Sequence, residues 1–318
     1  MSGNHPVPAE SGRQLLCGLR VGPYLVRSLI RADRLEAAYR AYDSRRQRDV
    51  MVVLSQSARG SQRFAAFLDR WRTGALVCHP NIVAVYDVGW HDDRPFLVSE
   101  FLEGTTLRAL LAAGPIPPVR AATLATQIAD GLHAAHRAGI VHGDLRPENV
   151  WVSPRDHARI LNFTSARMLE ERLELVQQTP SETGAVPPWI AYLSPEQVTA
   201  RAIDLRTDIF SLGVVLYEMV MGVAPFARRT LIDTLRAIST DVLPEARHDD
   251  PAVVELVERV VRRTVEKDPA DRVASAIALA DKLELLLPSL RASAPPDHVR
   301  ATGLLSRVRG FFAPRELR

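Results

Sequence analysis

Lysine is nearly missing from this chain of 318 residues. Of its 40 basic residues only Lys267 and Lys282 are lysine, so residues 1–266 hold no ammonium side chain. A GC-rich genome accounts for such a bias, but any chemistry that needs an ammonium group in that span has none to use. Cysteine is scarce as well: Cys17 and Cys78 have no ligand-like spacing, which argues against a disulfide framework or a zinc site. Glycine is absent from Pro23 to Arg59. Long apolar runs are absent too. The best, Gly213 to Tyr217, stops at Glu218, far short of the roughly 18 residues of a membrane span. Met1 to Glu10 lack the charged and apolar regions of a signal peptide. A net charge of +3 is too small to call for nucleic acid, and none is expected as a partner. The expectation is a cytoplasmic protein, whose 47% hydrophobic content suffices for one two-lobed domain or two smaller ones.

What is present comes in a definite order. Residues 1–22 read as a flexible leader. Apolar runs at Tyr24–Ile30, Ala37–Asp43 and Val50–Gln56, bounded by turn residues, predict three antiparallel strands. Phe64, Phe67, Leu68, Trp71 and Ala75 share one helical face, and Val83–Gly89 and Phe96–Phe101 return to strand character. Beyond Gly104 the pattern turns helical. Pro118–Ala138 carries Leu124, Ile128, Leu132 and Ala135 on one face, and further helices are predicted over Thr207–Met221, Thr230–Ile238, Ala252–Val265 and Ser275–Leu287. Residues 165–190 show no periodicity and hold Thr179, Pro180, Ser181, Thr183, Pro187 and Pro188, as in a long functional loop.

One stretch carries chemistry: His142-Gly143-Asp144-Leu145-Arg146-Pro147-Glu148-Asn149-Val150. An Asp and an Asn five residues apart, with a basic residue and a proline between them, suit phosphoryl transfer. Asp144 would accept a hydroxyl proton and Asn149 would hold a metal ion that bridges phosphates. This spacing alone leaves kinases of proteins and kinases of small molecules both open.

The surrounding residues narrow the choice. His79-Pro80-Asn81-Ile82-Val83, the run Pro95 to Gly104 with Glu100 at its centre, Ser194-Pro195-Glu196, Asp208-Ile209-Phe210-Ser211-Leu212-Gly213, and Lys267-Asp268-Pro269 with Arg272 occur in the right order. Over residues 23–288 the sequence resembles the bacterial serine/threonine protein kinases of the eukaryotic type. The resemblance implies a two-lobed α+β fold, with a small antiparallel β-sheet lobe (23–101) that includes one helix and a large, mostly helical lobe (102–288). It also implies structural duties: Asp208 receives backbone hydrogen bonds from the catalytic loop, Glu196 pairs with Arg272, and His142 packs with Phe163.

Measured against that family, the parts that grip a nucleotide are missing. The three glycines over the phosphates align with Arg31, Asp33 and Glu36, although only glycine lets backbone approach so closely. The phosphate-binding lysine aligns with Val53 and its helix glutamate with Arg70. The metal-binding Asp-Phe-Gly aligns with Asn162-Phe163-Thr164, which keeps an oxygen at 162 but loses the charge that Mg²⁺ favours. Gly143 replaces the arginine that in many relatives receives a phosphate, and Trp189 replaces a threonine near the catalytic Asp. Ala38 and Met51 lie above the adenine slot and Trp151 below it, where an indole is bulky enough to fill the slot itself.

The expectation is therefore a pseudokinase, inactive or severely impaired, that acts as a regulatory or scaffold protein in signalling. No cofactor is expected. Its partner would be an active kinase, a substrate or an assembly component. The alternative is an active serine/threonine kinase using ATP and Mg, with Asp144 as base, Asn149 and Asn162 around the metal and Arg146 at the γ-phosphate. A minor alternative, suggested by His-Gly-Asp, is a small-molecule phosphotransferase. Thr179, Ser181 and Thr183 are candidate sites for phosphorylation by a partner kinase. Residues 289–300 read as a linker. Residues 301–318 place Leu304, Leu305, Val308, Phe311 and Phe312 at helical spacing, in a span (300–318) whose net charge is +4. Such a basic amphipathic tail suits peripheral contact with a membrane surface, a groove in a partner, or packing against the large lobe.

Overall fold

A computed structural model of the chain describes residues 17–32, 36–55, 77–162 and 186–293. The upper lobe is an antiparallel sheet of β1 (Arg20–Val21), β2 (Tyr24–Ala32), β3 (Glu36–Asp43), β4 (Arg48–Ser55), β5 (Val85–His91) and β6 (Arg94–Glu100), in the order β1-β2-β3-β4-β6-β5. Alternation sets its two faces. Ala37 pairs with Leu54, Tyr39 with Val52 and Ala41 with Val50, while Val52 pairs with Val98. Together with Tyr24, Val26 and Phe96 these side chains form the lobe's own apolar core. Ala38, Met51 and Val53 therefore project from the opposite face, and a slip of one residue would exchange the two sets. The β5–β6 hairpin turns on Asp92 and Asp93, with φ of 48° and 59°, a conformation that a two-residue turn requires and Asp tolerates.

A small sheet of β7 (Thr105–Thr106), β8 (Val150–Val152) and β9 (Ala158–Ile160) lies where the lobes meet. Among the described residues the helices are α1 (Leu107–Leu111), α2 (Pro118–Arg137), α3 (Pro195–Val198), α4 (Arg206–Met221), α5 (Leu231–Thr240), α6 (Pro251–Leu256), α7 (Arg262–Thr264) and α8 (Ala276–Ser293). Helix α2 opens with a proline in its first turn, where no amide hydrogen is needed, and lays Ala121, Leu124, Ala125, Ile128 and Leu132 against α4 and α8. Helix α4 is buried on nearly every side, as a run from Ile209 to Val220 with little polar surface requires. A π turn over Val257–Val261 joins α6 to α7. Just beyond it Thr264 closes on Gly213 of α4, where a Cβ would stand 2.2 Å from the threonine hydroxyl.

The two-lobed α+β architecture is present, but two boundaries move. Strand β1 lies inside the expected leader because Val21 is fully buried in the sheet core. The last helix passes Leu287 and continues through Pro288 to Ser293, into the expected linker. Leu290 is buried there, and the Ser289 hydroxyl donates to the Glu255 carboxylate at 2.9–3.0 Å, which secures the added turns. The helix expected over Phe64–Ala75, the candidate phosphosites Thr179, Ser181 and Thr183, and the tail 301–318 lie outside the described residues.

One ion pair fastens the helical lobe. Ser194 caps α3 in a reciprocal box with Gln197, and this presents Glu196 to Arg272, which meets it in two parallel contacts of 2.7 Å. Burial alone would raise the Glu196 pKa, but hydrogen bonds from Arg272 and Thr207 outweigh it and hold the carboxyl below its ordinary value. A depressed carboxylate pKa stabilises the fold above the unfolded value, near 4.5, and that contribution is lost as pH falls. Glu196→Gln should destabilise the chain at neutral pH by about 3 kcal/mol or more, because Arg272 would be left buried and unpaired. Urea unfolding between pH 3 and pH 7 should also show a shallower acid slope in this variant than in wild type.

Candidate active site

The loop that carries Asp144 is held from below. Asp208, in the first turn of α4 and fully buried, accepts the backbone N–H groups of His142 and Gly143 at 2.8 Å each. It also accepts Nε2–H of His136, at the end of α2, at 2.8 Å. Gln197 of α3 donates to the Gly143 carbonyl at 2.8 Å. Three helices thus converge on two consecutive peptide units. His142 is fully buried; its Nε2–H donates to the Leu161 carbonyl at 2.8 Å and its Nδ1 accepts the Asp144 amide at 3.2 Å. Both ring nitrogens are engaged by backbone, so this histidine is a structural strut.

A short 3-10 turn, Pro147–Asn149, folds Asn149 back beneath Asp144. Its amide nitrogen donates to the Asp144 carbonyl at 2.7 Å and to the carboxylate at 3.1 Å. Asn162 follows β9 with a positive φ of 57°, and its amide donates to Asn149 Oδ1 at 3.1 Å. Asp144, Asn149 and Asn162 are therefore brought together as a hydrogen-bonded chain. Arg146 closes over it, with Nε 3.1 Å from the Asp144 carboxylate and Nη1 3.4 Å from Glu148.

This chain of amides bears directly on a metal. Two oxygens would have to face one cation, yet the Asn149 oxygen accepts a hydrogen bond from the side chain that would supply the second. Among the described residues no group of three His, Cys, Asp or Glu is placed to hold a metal ion. Asn149 and Asn162 offer neutral amide oxygens, which hold a hard cation such as Mg²⁺ less well than carboxylates do.

Val53, the residue expected at the phosphate-grip position, is apolar and buried. Val53 lies opposite Ala38 across the β3–β4 pair, and the two form an apolar cluster with Met51 and Leu97. Ala38 is fully buried and Val53 nearly so. Lys267 is no substitute. It donates to the carbonyls of Ala237 and Ile238 at 3.2 and 2.7 Å, above the Phe226 ring, in the helical lobe. Arg31 pairs with Glu36 at 3.7 Å, and Arg40 with Asp49. Arg70, Asp33, Phe163 and Thr164 lie outside the described residues. Trp189 is half-buried against the lower core.

Trp151 sits on β8 between the buried Val150 and Val152, so its side chain leaves the opposite face of the small sheet. Its cross-strand partner Arg159 shares that face and reaches Glu100 at the end of β6, an ion pair that joins the two lobes. Trp151 thus faces the cleft. Its indole N–H donates to the Glu103 carbonyl at 3.2 Å, beside Gly104, whose φ of 129° and close approach to β8 leave no room for a Cβ. The ring is tied to the connection between the lobes, whereas the apolar cluster above comprises Ala38, Met51, Val53 and Leu97.

Sequence reasoning missed one constellation beside the loop. Arg108 of α1 donates to Glu148 and Glu218 at 2.8 Å each and also reaches the Tyr192 hydroxyl. Its partners stand 40, 110 and 84 residues away in the chain, and only the fold assembles them. The glutamates, with the Tyr192 hydroxyl, outweigh the burial of Arg108 and raise its pKa still further. For Tyr192 burial acts in the other direction and is the main cause of a raised pKa.

The chain is similar to known proteins over most of its length. A family model described as the protein kinase domain matches residues 39–283. Serine/threonine-protein kinase PknL of Mycobacterium tuberculosis is 35% identical over 281 residues, which cover 86% of this chain and 69% of that protein. Serine/threonine-protein kinase pkn2 of Myxococcus xanthus is 37% identical over 227 residues, covering 70% of this chain and 27% of its own. Serine/threonine-protein kinase PrkC of Bacillus subtilis is 29% identical over 267 residues, covering 82% and 40%.

The anchor of the loop is open to test. Asp208→Ala would leave two backbone donors and His136 without an acceptor in a dry site. It should lower unfolding free energy by about 3–5 kcal/mol, the usual loss when one member of a buried charged network is removed. Chemical denaturation at neutral pH measures it.

Proposed function

Because this chain belongs to the bacterial serine/threonine protein kinase family, we propose that it is a member impaired in phosphoryl transfer, a pseudokinase with a regulatory role. Val53 carries this reading: a buried valine in an apolar cluster stands where the family places its phosphate-binding lysine. The Asn162–Asn149 hydrogen bond supports it, since it occupies an oxygen that the metal would need. Family members use ATP and Mg, and a loss of any single electrostatic donor of this kind costs about 10²-fold or more in rate, though such losses do not add. What persists is the scaffold. The proposed partner is a protein, whether an active kinase, its substrate or an assembly component, that reads a kinase-shaped surface. The basic tail of residues 301–318 is a further candidate contact, with a protein groove or a membrane surface.

The names of the relatives favour a second reading, ATP-dependent transfer to serine or threonine. In it Asp144 is the base, Asn149 and Asn162 flank Mg²⁺, and Arg146 stands at the γ-phosphate. Among the described residues no helix is long and apolar enough to cross a membrane.

Radiolabelled ATP with Mg²⁺ or Mn²⁺ separates the two. The proposed reading expects label in the chain, or in a general protein substrate, no higher than in Asp144→Asn. Transfer well above that background, abolished by Asp144→Asn, overturns it in favour of an active kinase.

A further inference from the structure

Positive charge in the upper lobe gathers at the turn between β3 and β4. The stretch Ser44-Arg45-Arg46-Gln47-Arg48 holds three arginines and no acid. Its backbone is fixed from within. The Asp43 side chain, only 4% exposed, accepts the backbone N–H groups of Arg45 at 3.0 Å and Arg46 at 3.2 Å, and Gln47 takes a left-handed φ of 52°. An aspartate bonded to the amides just ahead of it holds a tight turn in one shape. Ser44, Arg45, Arg46 and Gln47 are all exposed on this tip.

Aromatic rings hold the neighbouring arginines. Arg48 lies over Tyr86, 3.5 Å from the ring centre, on the side of the sheet that carries the lobe's core. On the other side Arg27 lies over Tyr42 at 4.4 Å and Arg40 over Phe101 at 4.7 Å. A stacked guanidinium presents its flat face to the ring and keeps its N–H edge for a planar anion. Among the described residues Arg48 is bonded to no acceptor. The carboxylates nearby are already engaged: Asp43 by the turn, Asp49 by Arg27 and Arg40, and Asp87 by the Tyr24 hydroxyl at 2.7 Å. Positive charge is therefore in surplus at this end of the sheet.

We propose that the β3–β4 turn and its flanking arginines form a docking surface for an acidic segment of a partner protein, rich in aspartate or glutamate. Guanidinium forks meet carboxylates in paired, parallel hydrogen bonds, which a scatter of point charges does not provide. A second copy of the chain brings the same positive tip and is repelled by it. Insertion into a membrane surface calls for apolar side chains, and Ser44 to Gln47 offer none. Asp43 stands five positions along β3 from Ala38, roughly 17 Å of extended chain. Docking there leaves the cleft untouched, so the proposal holds whether or not Asp144 transfers phosphate.

A fluorescent oligoglutamate peptide, titrated with the full chain and followed by anisotropy, is the probe. It should bind at low salt and weaken as salt rises. Arg45→Glu combined with Arg46→Glu should weaken it by about tenfold or more. Arg48→Lys keeps the charge but gives up the stacked fork, and should weaken it by about fivefold. Arg229→Glu combined with Arg236→Glu, a reversal of two exposed charges in the helical lobe, should leave the affinity unchanged. The inference is overturned if the peptide does not bind, if both double reversals act alike, or if Arg48→Lys binds as tightly as wild type. Tighter binding to phosphatidylcholine vesicles containing phosphatidylserine, lost on reversal at 45 and 46, would replace it with a membrane contact. A dimer in sedimentation that the same reversal dissolves would replace it with a contact between copies.

Discussion

The loop at the centre of this molecule rests on one buried carboxylate. Asp208 has no exposure to solvent, and its oxygens take up two consecutive backbone amides and a histidine ring. An unpaired carboxylate in that place would cost several kcal/mol, so aspartate and donors must be kept together or lost together. Helix α4 supplies the acid, α2 the histidine, and the loop its own peptide groups. The peptide geometry around Asp144 is consequently determined by the packing of the lower lobe. It depends on no ligand in the cleft.

The support of the loop therefore lies in the fold of the helical lobe. Glu196 and Arg272, His142 and Leu161, and Gln197 and Gly143 are all internal bonds whose loss would unfold or loosen the helical lobe. Selection for stability is enough to keep them. Val53 and Asn162 belong to a different class. The first joins a dry cluster under the upper sheet, and the second donates to Asn149; both are self-sufficient without a nucleotide.

Part of the site is legible in the linear chain. The Asp144–Asn149 spacing, the order of the surrounding motifs and the valine at 53 are local or ordinal facts, visible in one dimension. That Ala38 shares a face with Met51 and Val53 follows only from the register of β3 on β4. Other facts are invisible there. The hydrogen bond from Asn162 to Asn149 depends on a left-handed residue after β9. Arg108 meets its glutamates only because α1, the loop and α4 converge. Trp151 is large enough to fill the slot, yet its indole N–H turns to the Glu103 carbonyl.

The sequence by itself determined the class of fold and the absence of lysine before residue 267. Composition cannot be altered by packing, and a chain without lysine before residue 267 cannot place one in its upper lobe. Tertiary structure decided how the residues of the site are packed and bonded. Whether Val53 would lie in an open cleft or a dry cluster, and whether two asparagines would face a cation or each other, depends on distances between residues far apart in the chain. Burial and hydrogen-bond geometry at a few ångströms settle such questions, and they exist only once the two lobes have closed around the small sheet between them.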